Sequence, residues 1–206
     1  MEPGGRLRGG LALALLLAAC GPRPAPVPEV LAPPEALSPL LPPCHRIERI
    51  EVSRSRRLLQ ATCEGGGRLE LRVALGRDGK APKRSAGDLR TPEGLYRISG
   101  PPRSSWRYHL FIPIDYPAIA DAEVALGEGR LSGREYWRIR DAHDRGEAPP
   151  PDTVLGGDIG FHGEGKRWRG DSEHLDWTYG CIAMSDTDVE RLAERVEVGV
   201  PVAIVP

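Results

Sequence analysis

The sequence lacks an excess of charge of either sign. Its 206 residues include 28 lysines and arginines and 29 aspartates and glutamates, which gives a formal net charge of −1 at pH 7. Proteins that bind nucleic acids concentrate positive charge, because they must neutralise phosphates. The even balance therefore gives no electrostatic reason to expect a nucleic-acid partner.

Long apolar runs are also missing. The only unbroken one, at residues 11–19, consists of Leu and Ala, and it is shorter than the roughly 20 residues that a membrane-spanning helix needs. It follows Arg6 and Arg8 and ends in Leu17-Ala18-Ala19-Cys20. Such a segment fits a signal peptide, and its end resembles the lipobox of bacterial lipoproteins. We expect residues 1–19 to be removed and Cys20 to carry lipid; an ordinary secretory signal is the alternative.

Cysteine and histidine are scarce, with four and five copies. No pair is spaced as C-x-x-C or H-x-x-x-H, the arrangements common in zinc sites. His162, His174, Asp176 and Cys181 are residue types that bind zinc, but their spacing matches no metal-binding pattern. The sequence therefore predicts neither a metal nor another cofactor.

Proline, in contrast, is concentrated near the N-terminus. Residues 21–43 contain nine prolines, a composition that favours an extended polyproline-II segment of about 70 Å. A disordered spacer is the alternative, and either would hold a domain away from a lipid surface. We expect an exported protein that is anchored to a bacterial membrane through Cys20. Gly21 stands where inner-membrane lipoproteins typically have Asp, which favours the outer membrane where one exists.

The remaining residues, 44–206, predict one mainly β domain with peripheral helices. Residues 47–63 suggest two strands around a polar turn at 53–56, and Leu69, Leu71 and Val73 alternate with polar residues. Further strand candidates lie at residues 94–100, 106–114 and 199–206. Many short strands separated by turns are typical of a β-sandwich or barrel.

Two helices are predicted from their capping residues. Ser132 is followed three residues later by Glu135, and Ser185 by Asp188. A serine with an acidic residue at this spacing is a common start signal, because each side chain can accept a hydrogen bond from a backbone N–H of the first turn.

The cysteines have different predicted roles. Export to an oxidising compartment favours disulfides, and a hairpin over residues 47–63 would place Cys63 opposite residues 46 or 47, within reach of Cys44. We therefore expect a Cys44–Cys63 disulfide, the alternative being two free thiols. Cys181 is then left unpaired, either as a buried apolar residue or as a reactive thiol.

Histidine near a thiol favours the reactive alternative. His162 precedes Cys181 by nineteen residues, and an imidazole can take the thiol proton or stabilise a thiolate, which leads us to expect a lowered pKa for Cys181. Thr178 and the backbone N–H groups of Tyr179, Gly180 and Cys181 are candidate donors to a developing oxyanion. The Asp158 carboxylate could shift the pKa of His162, or it could cap a turn.

These residues carry a family resemblance. His162-Gly163, the segment "TYGCI" at 178–182 and the segment "TPEGLY" at 91–96 resemble the L,D-transpeptidase catalytic domain, also called YkuD, over residues 47–206. Residues 131–165 and the "DWT" at 176–178 are similar to the YafK-like branch.

The resemblance implies a cysteine-dependent acyl transfer on peptidoglycan stem peptides. In it, Cys181 is the nucleophile, His162 the base, and the Gly163 carbonyl orients the imidazole. The N–H groups of residues 179–181 form the oxyanion hole. The implied fold is mostly β with peripheral helices.

Two residues depart from the family pattern. Tyr179 replaces the usual His before Gly-Cys, and Ala183 replaces an Arg that could pair with a substrate carboxylate. The "DWT" branch also includes members thought to hydrolyse peptidoglycan-linked amides. An amidase and a non-catalytic wall-binding lipoprotein therefore remain as alternatives to a transpeptidase.

Overall fold

The computed structural model describes residues 43–79, 81–166 and 174–206. Within these ranges the chain forms three α-helices and nine strands. The helices are α1 (Ile119–Gly127), α2 (Gly133–Asp144) and α3 (Asp186–Ala193). The strands are β1 (Ile47–Ser53), β2 (Leu58–Cys63), β3 (Arg68–Arg72), β4 (Gly94–Arg97), β5 (Arg103–Ser105), β6 (His109–Pro113), β7 (Gly160–His162), β8 (Ile182–Ala183) and β9 (Pro201–Val205). No helix in the described ranges has the length and apolarity needed to cross a membrane.

The strands form two mixed sheets. The first has the order β3-β2-β1-β9-β4, and the second has the order β5-β6-β7-β8. Parallel pairing occurs between β1 and β9 and between β7 and β8, and the other neighbours are antiparallel. The mainly β architecture with peripheral helices predicted from the sequence is confirmed.

The main core contains side chains from both sheets and from α3. The alternation in β3 buries Leu69 and Leu71 and leaves Arg68, Glu70 and Arg72 exposed. Phe161 of β7 and Ile182 of β8 are paired in register and fully buried. Close packing in the interior therefore fixes the positions of β7 and β8, the strands next to the candidate site.

The N-terminal hairpin has the expected register. β1 and β2 pair with Ile47 opposite Cys63, and a bulge follows between Ile47 and Arg49. Cys44 and Cys63 form a disulfide with their Cα atoms 5.2 Å apart. The bridge joins the start of the described chain to the end of β2.

Helices α2 and α3 begin where their capping serines predict. The hydroxyl oxygens of Ser132 and Ser185 accept hydrogen bonds from the N–H groups of Glu135 and Asp188. Helix α1 was not predicted, because its N-cap is Ala118, whose methyl group cannot accept a hydrogen bond. Only the reverse contact exists there: the Asp121 carboxylate accepts from the Ala118 N–H at 2.8 Å.

Candidate active site

The parallel pair β7–β8 brings His162 and Cys181 together. His162 is the last residue of β7 and pairs in register with Ala183 of β8. Cys181 directly precedes β8, two residues before Ala183. Because side chains two positions apart on a strand share a face, this register directs the imidazole and the thiol to the same side of the sheet.

Both residues line one pocket with a volume of about 150 Å³. Its other lining residues come from loops and turns next to the two strands. They are Arg77, Arg107, Tyr108, Trp177, Thr178 and Tyr179.

The imidazole of His162 is buried and oriented. Its Nδ1 lies 2.7 Å from the Gly163 carbonyl oxygen. Nδ1 therefore carries the ring proton and donates a hydrogen bond to that carbonyl, and Nε2 is left as the acceptor. The rings of Tyr108 and Trp177 pack against it at centroid distances of 4.3 and 5.4 Å. Burial lowers the pKa of His162 to about 4, against an opposing contribution from the Gly163 hydrogen bond. The imidazole is therefore neutral at pH 7.

Gly163 is required sterically as well as for its carbonyl. A Cβ at this position would collide with the Asp186 carboxylate and would lie 2.8 Å from the Tyr108 carbonyl oxygen. The Asp186 carboxylate is itself fixed, since it accepts a hydrogen bond from the Gly165 N–H at 2.9 Å. The backbone after His162 therefore fits here only if residue 163 is glycine.

The thiol of Cys181 is protonated in this structure. Although part of the residue is accessible, burial raises the pKa of the thiol to about 11; the Gly160 backbone and Lys83 act in the opposite direction, and Asp158 adds to the rise. The sulfur lies 3.6 Å from the Asp158 carbonyl oxygen, to which the thiol donates. The expected lowered pKa is thus wrong for the resting site, because buried His162 is neutral and supplies no positive charge.

Thr178 holds the loop that leads to the thiol. Its hydroxyl donates to the Cys181 carbonyl oxygen at 2.7 Å and accepts from the Gly180 N–H at 3.1 Å. Gly180 has φ +133°, and a Cβ there would lie 2.7 Å from the Arg90 carbonyl oxygen, so only glycine fits.

These contacts change the predicted set of oxyanion donors. The Thr178 hydroxyl and the Gly180 N–H are already used inside the loop. Among the residues that the structure describes, the N–H groups of Tyr179 and Cys181 have no backbone or side-chain acceptor. They are the two remaining candidates.

Asp176 and Asp158, which were also considered from the sequence, do not line this pocket. The Asp176 carboxylate accepts from the Leu75 N–H at 2.9 Å and contacts Arg57 at 3.1 Å, which gives it a structural role. Asp158 is exposed with φ +54°, and its carbonyl oxygen accepts the hydrogen bond from the Cys181 thiol.

Three pocket residues, Arg77, Arg107 and Tyr108, are not predicted by any motif in the sequence. Their positions depend on tertiary pairing. Gly76 bridges to Thr178 and the Arg77 N–H donates to the Thr178 carbonyl at 3.1 Å, while Tyr108 leads into β6 beside β7. No local pattern reports such contacts.

The family model for the L,D-transpeptidase catalytic domain, YkuD, matches residues 47–204. This match spans most of the chain, so the protein belongs to the L,D-transpeptidase catalytic domain family. The match does not extend to the YafK-like branch, which stays a prediction.

Solved structures with similar folds include three bacterial proteins. An L,D-transpeptidase from Mycobacterium smegmatis is 12% identical, with 78% of this chain and 59% of that chain covered and a TM-score of 0.46. Bdellovibrio bacteriovorus Bd1075 is 18% identical, with coverages of 78% and 48% and a TM-score of 0.47. An Enterococcus faecium L,D-transpeptidase C442S mutant is 14% identical, with coverages of 77% and 50% and a TM-score of 0.45. The chain thus spans about half to three fifths of these proteins. No curated protein sequence matches it.

Proposed function

We propose that this protein is a cysteine acyltransferase of the L,D-transpeptidase type that acts on peptidoglycan stem peptides in cell-wall remodelling. The observation that carries the proposal is the shared pocket of Cys181 and His162, in which Nδ1 is held by the Gly163 carbonyl and Nε2 is left as a base. A neutral base beside a nucleophilic thiol is the arrangement that covalent acyl transfer requires.

In the first half-reaction, the Cys181 sulfur attacks the carbonyl carbon of a peptide amide, and the thiol proton moves to Nε2 of His162. The carbonyl oxygen gains negative charge, which the N–H groups of Tyr179 and Cys181 stabilise. The C–N bond then breaks, and the imidazolium returns its proton to the departing amine. The product is an acyl-thioester on Cys181.

In the second half-reaction, an acceptor amine attacks the thioester and loses a proton to Nε2. The C–S bond breaks, and the thiolate recovers the proton. The Gly163 carbonyl stabilises the imidazolium in both halves, because Nδ1–H donates to it throughout.

Hydrolysis is the second candidate, since water can replace the amine in this step. It is favoured by Ala183, which is fully buried and exchanges backbone hydrogen bonds with Ala74. Position 183 therefore offers no guanidinium for a substrate carboxylate. An amidase would use the same Cys181 and His162 and differ only in what resolves the thioester.

The experiment supplies a stem tetrapeptide or a protein-linked muropeptide, with and without an added D-amino acid, and identifies the products by mass spectrometry. A transferase incorporates the amine. Accumulation of cleaved peptide alone would identify an amidase and overturn the transferase proposal. Cys181→Ala and His162→Gln should remove either activity, and an unreactive wild-type protein that still binds the peptide would indicate a wall-binding role.

We propose further that the protein is exported and anchored by lipid at Cys20, with residues 20–43 as a tether. The support is the sequence of the leader and its small-small-Cys end. In cell fractionation, Cys20→Ser should move the protein from the membrane fraction to the soluble fraction, and unchanged membrane association would contradict the proposal.

A further inference from the structure

Two exposed arginines line the pocket that contains Cys181 and His162. Arg77 lies on the nucleophile side, where its backbone N–H binds the Thr178 carbonyl oxygen and its guanidinium lies 4.6 Å from the Tyr179 ring centroid. Arg107 lies on the imidazole side, with its guanidinium 5.5 Å from the centroid of the Tyr108 ring, which packs on His162. Each side of the reacting pair thus carries a cation.

Neither guanidinium is used for an ion pair within the described part of the chain. Eleven of the other arginines that the structure describes form an ion pair; for example, Arg54 binds Glu93, Arg90 binds Asp78 and Arg138 binds Asp152. The described residues that line the pocket also include no carboxylate. Among the lining residues that the structure describes, the two guanidiniums are therefore positive charges without a counter-charge.

Aromatic rings restrict both arginines. A guanidinium that lies over a tyrosine face is held by a cation–π contact, which leaves its N–H groups free to donate hydrogen bonds. Arginine binds a carboxylate through two parallel hydrogen bonds, and it loses less freedom on binding when it is already oriented. Both guanidiniums are thus positioned to bind an anion in the pocket.

We propose that Arg77 and Arg107 bind a free carboxylate that adjoins the scissile amide of the acyl donor, and so select donor peptides that carry this group. The inference rests on the proposed acyl transfer at Cys181. The two arginines act as specificity residues in place of position 183, which is alanine and buried.

The test measures kcat and KM for Arg77→Gln, Arg107→Gln and the double variant with three donors. The first donor has all carboxylates free, the second is amidated at the C-terminal carboxylate, and the third is amidated at an acidic side chain. Each single change should raise KM for the free donor by about tenfold, with a smaller effect on kcat, because a charge-assisted hydrogen bond to the substrate is lost. Arg77→Lys and Arg107→Lys should each recover part of the loss.

The amidated donors identify the carboxylate. Wild-type enzyme should discriminate against one of them, and the double variant should lose that discrimination. Arg103→Gln is the matched control, because Arg103 is also exposed and lies 4.9 Å from an aromatic centroid, that of Phe111, but does not line the pocket. Unchanged KM and unchanged donor preference in the Arg77 and Arg107 variants would overturn the proposal.

Binding separates this inference from the proposed reaction. The affinity of Cys181→Ala for the free donor, measured by calorimetry with and without the two arginine changes, needs no turnover. Wild-type protein without activity would refute the acyl transfer, whereas equal affinities in this background would refute the role of the arginines.

Discussion

At the residue scale, the resting site is a neutral pair. Burial lowers the pKa of His162 to about 4 and raises the pKa of Cys181 to about 11. At pH 7 the thiol therefore keeps its proton and Nε2 is free to accept it. The proton moves during attack on the substrate, in general-base catalysis, and no preformed thiolate–imidazolium pair is needed.

The rate of alkylation of Cys181 by iodoacetamide tests this protonation state. Because only the thiolate reacts and its fraction is small below the pKa, the rate should rise about tenfold per pH unit from pH 6 to 9 and stay below that of a small-molecule thiol. Cys181→Ala provides the background. A rate that is already on a plateau near pH 7 would show a thiolate stabilised by His162, as the sequence alone suggested.

The pKa values could not be predicted from the sequence, since they depend on burial by distant segments. The rings of Tyr108 and Trp177 that cover His162 come from different parts of the chain. The motif predicted the partners His162, Gly163 and Cys181, but not the dielectric environment that keeps both reacting groups neutral.

At the scale of elements, the turn before β8 determines where the thiol lies. The buried hydroxyl of Thr178 bonds to both the Gly180 N–H and the Cys181 carbonyl oxygen. One side chain thereby fixes both residues that precede the catalytic strand.

Thr178→Val should disturb this turn with little change of side-chain shape. It removes the hydroxyl and leaves a buried donor and a buried acceptor unpaired, which costs about 1–3 kcal/mol. We expect a lower free energy of unfolding in urea and a lower kcat, and Thr178→Ser should restore most of both. Wild-type values for the valine variant would show that the turn is held by other contacts.

The elements differ in how far sequence patterns predict them. The hairpin β1–β2, the alternation in β3 and the capped helices α2 and α3 follow from local patterns. Strands β5, β7 and β8 have only two or three residues, too few to show a period. The pairing of β7 with β8 joins segments about twenty residues apart, so it arises from tertiary packing.

At the scale of the whole molecule, the Cys44–Cys63 disulfide fixes the entry to the folded domain. It closes a loop of about 20 residues, for which the chain-entropy model gives roughly 3 kcal/mol. Reduction should therefore lower the melting temperature, by about 6–12 °C for a domain of this size.

The measurement is a thermal melt of wild-type protein with and without reductant, alongside Cys44→Ala/Cys63→Ala. Reductant should have no effect on the double variant, and Cys181 should stay reactive in both proteins because neither Cys44 nor Cys63 lines its pocket. An unchanged melting temperature on reduction would contradict the stabilising role.

The proposed reaction requires Cys181 to form a covalent acyl-enzyme with a stem-peptide donor. It is tested most directly by rapid acid quenching during turnover, followed by intact-protein mass spectrometry and peptide mapping. We expect a mass gain equal to the acyl fragment, located on Cys181, absent in Cys181→Ala and removed by hydroxylamine as a thioester would be. Turnover without any adduct on Cys181, or turnover that persists in Cys181→Ala, would contradict it.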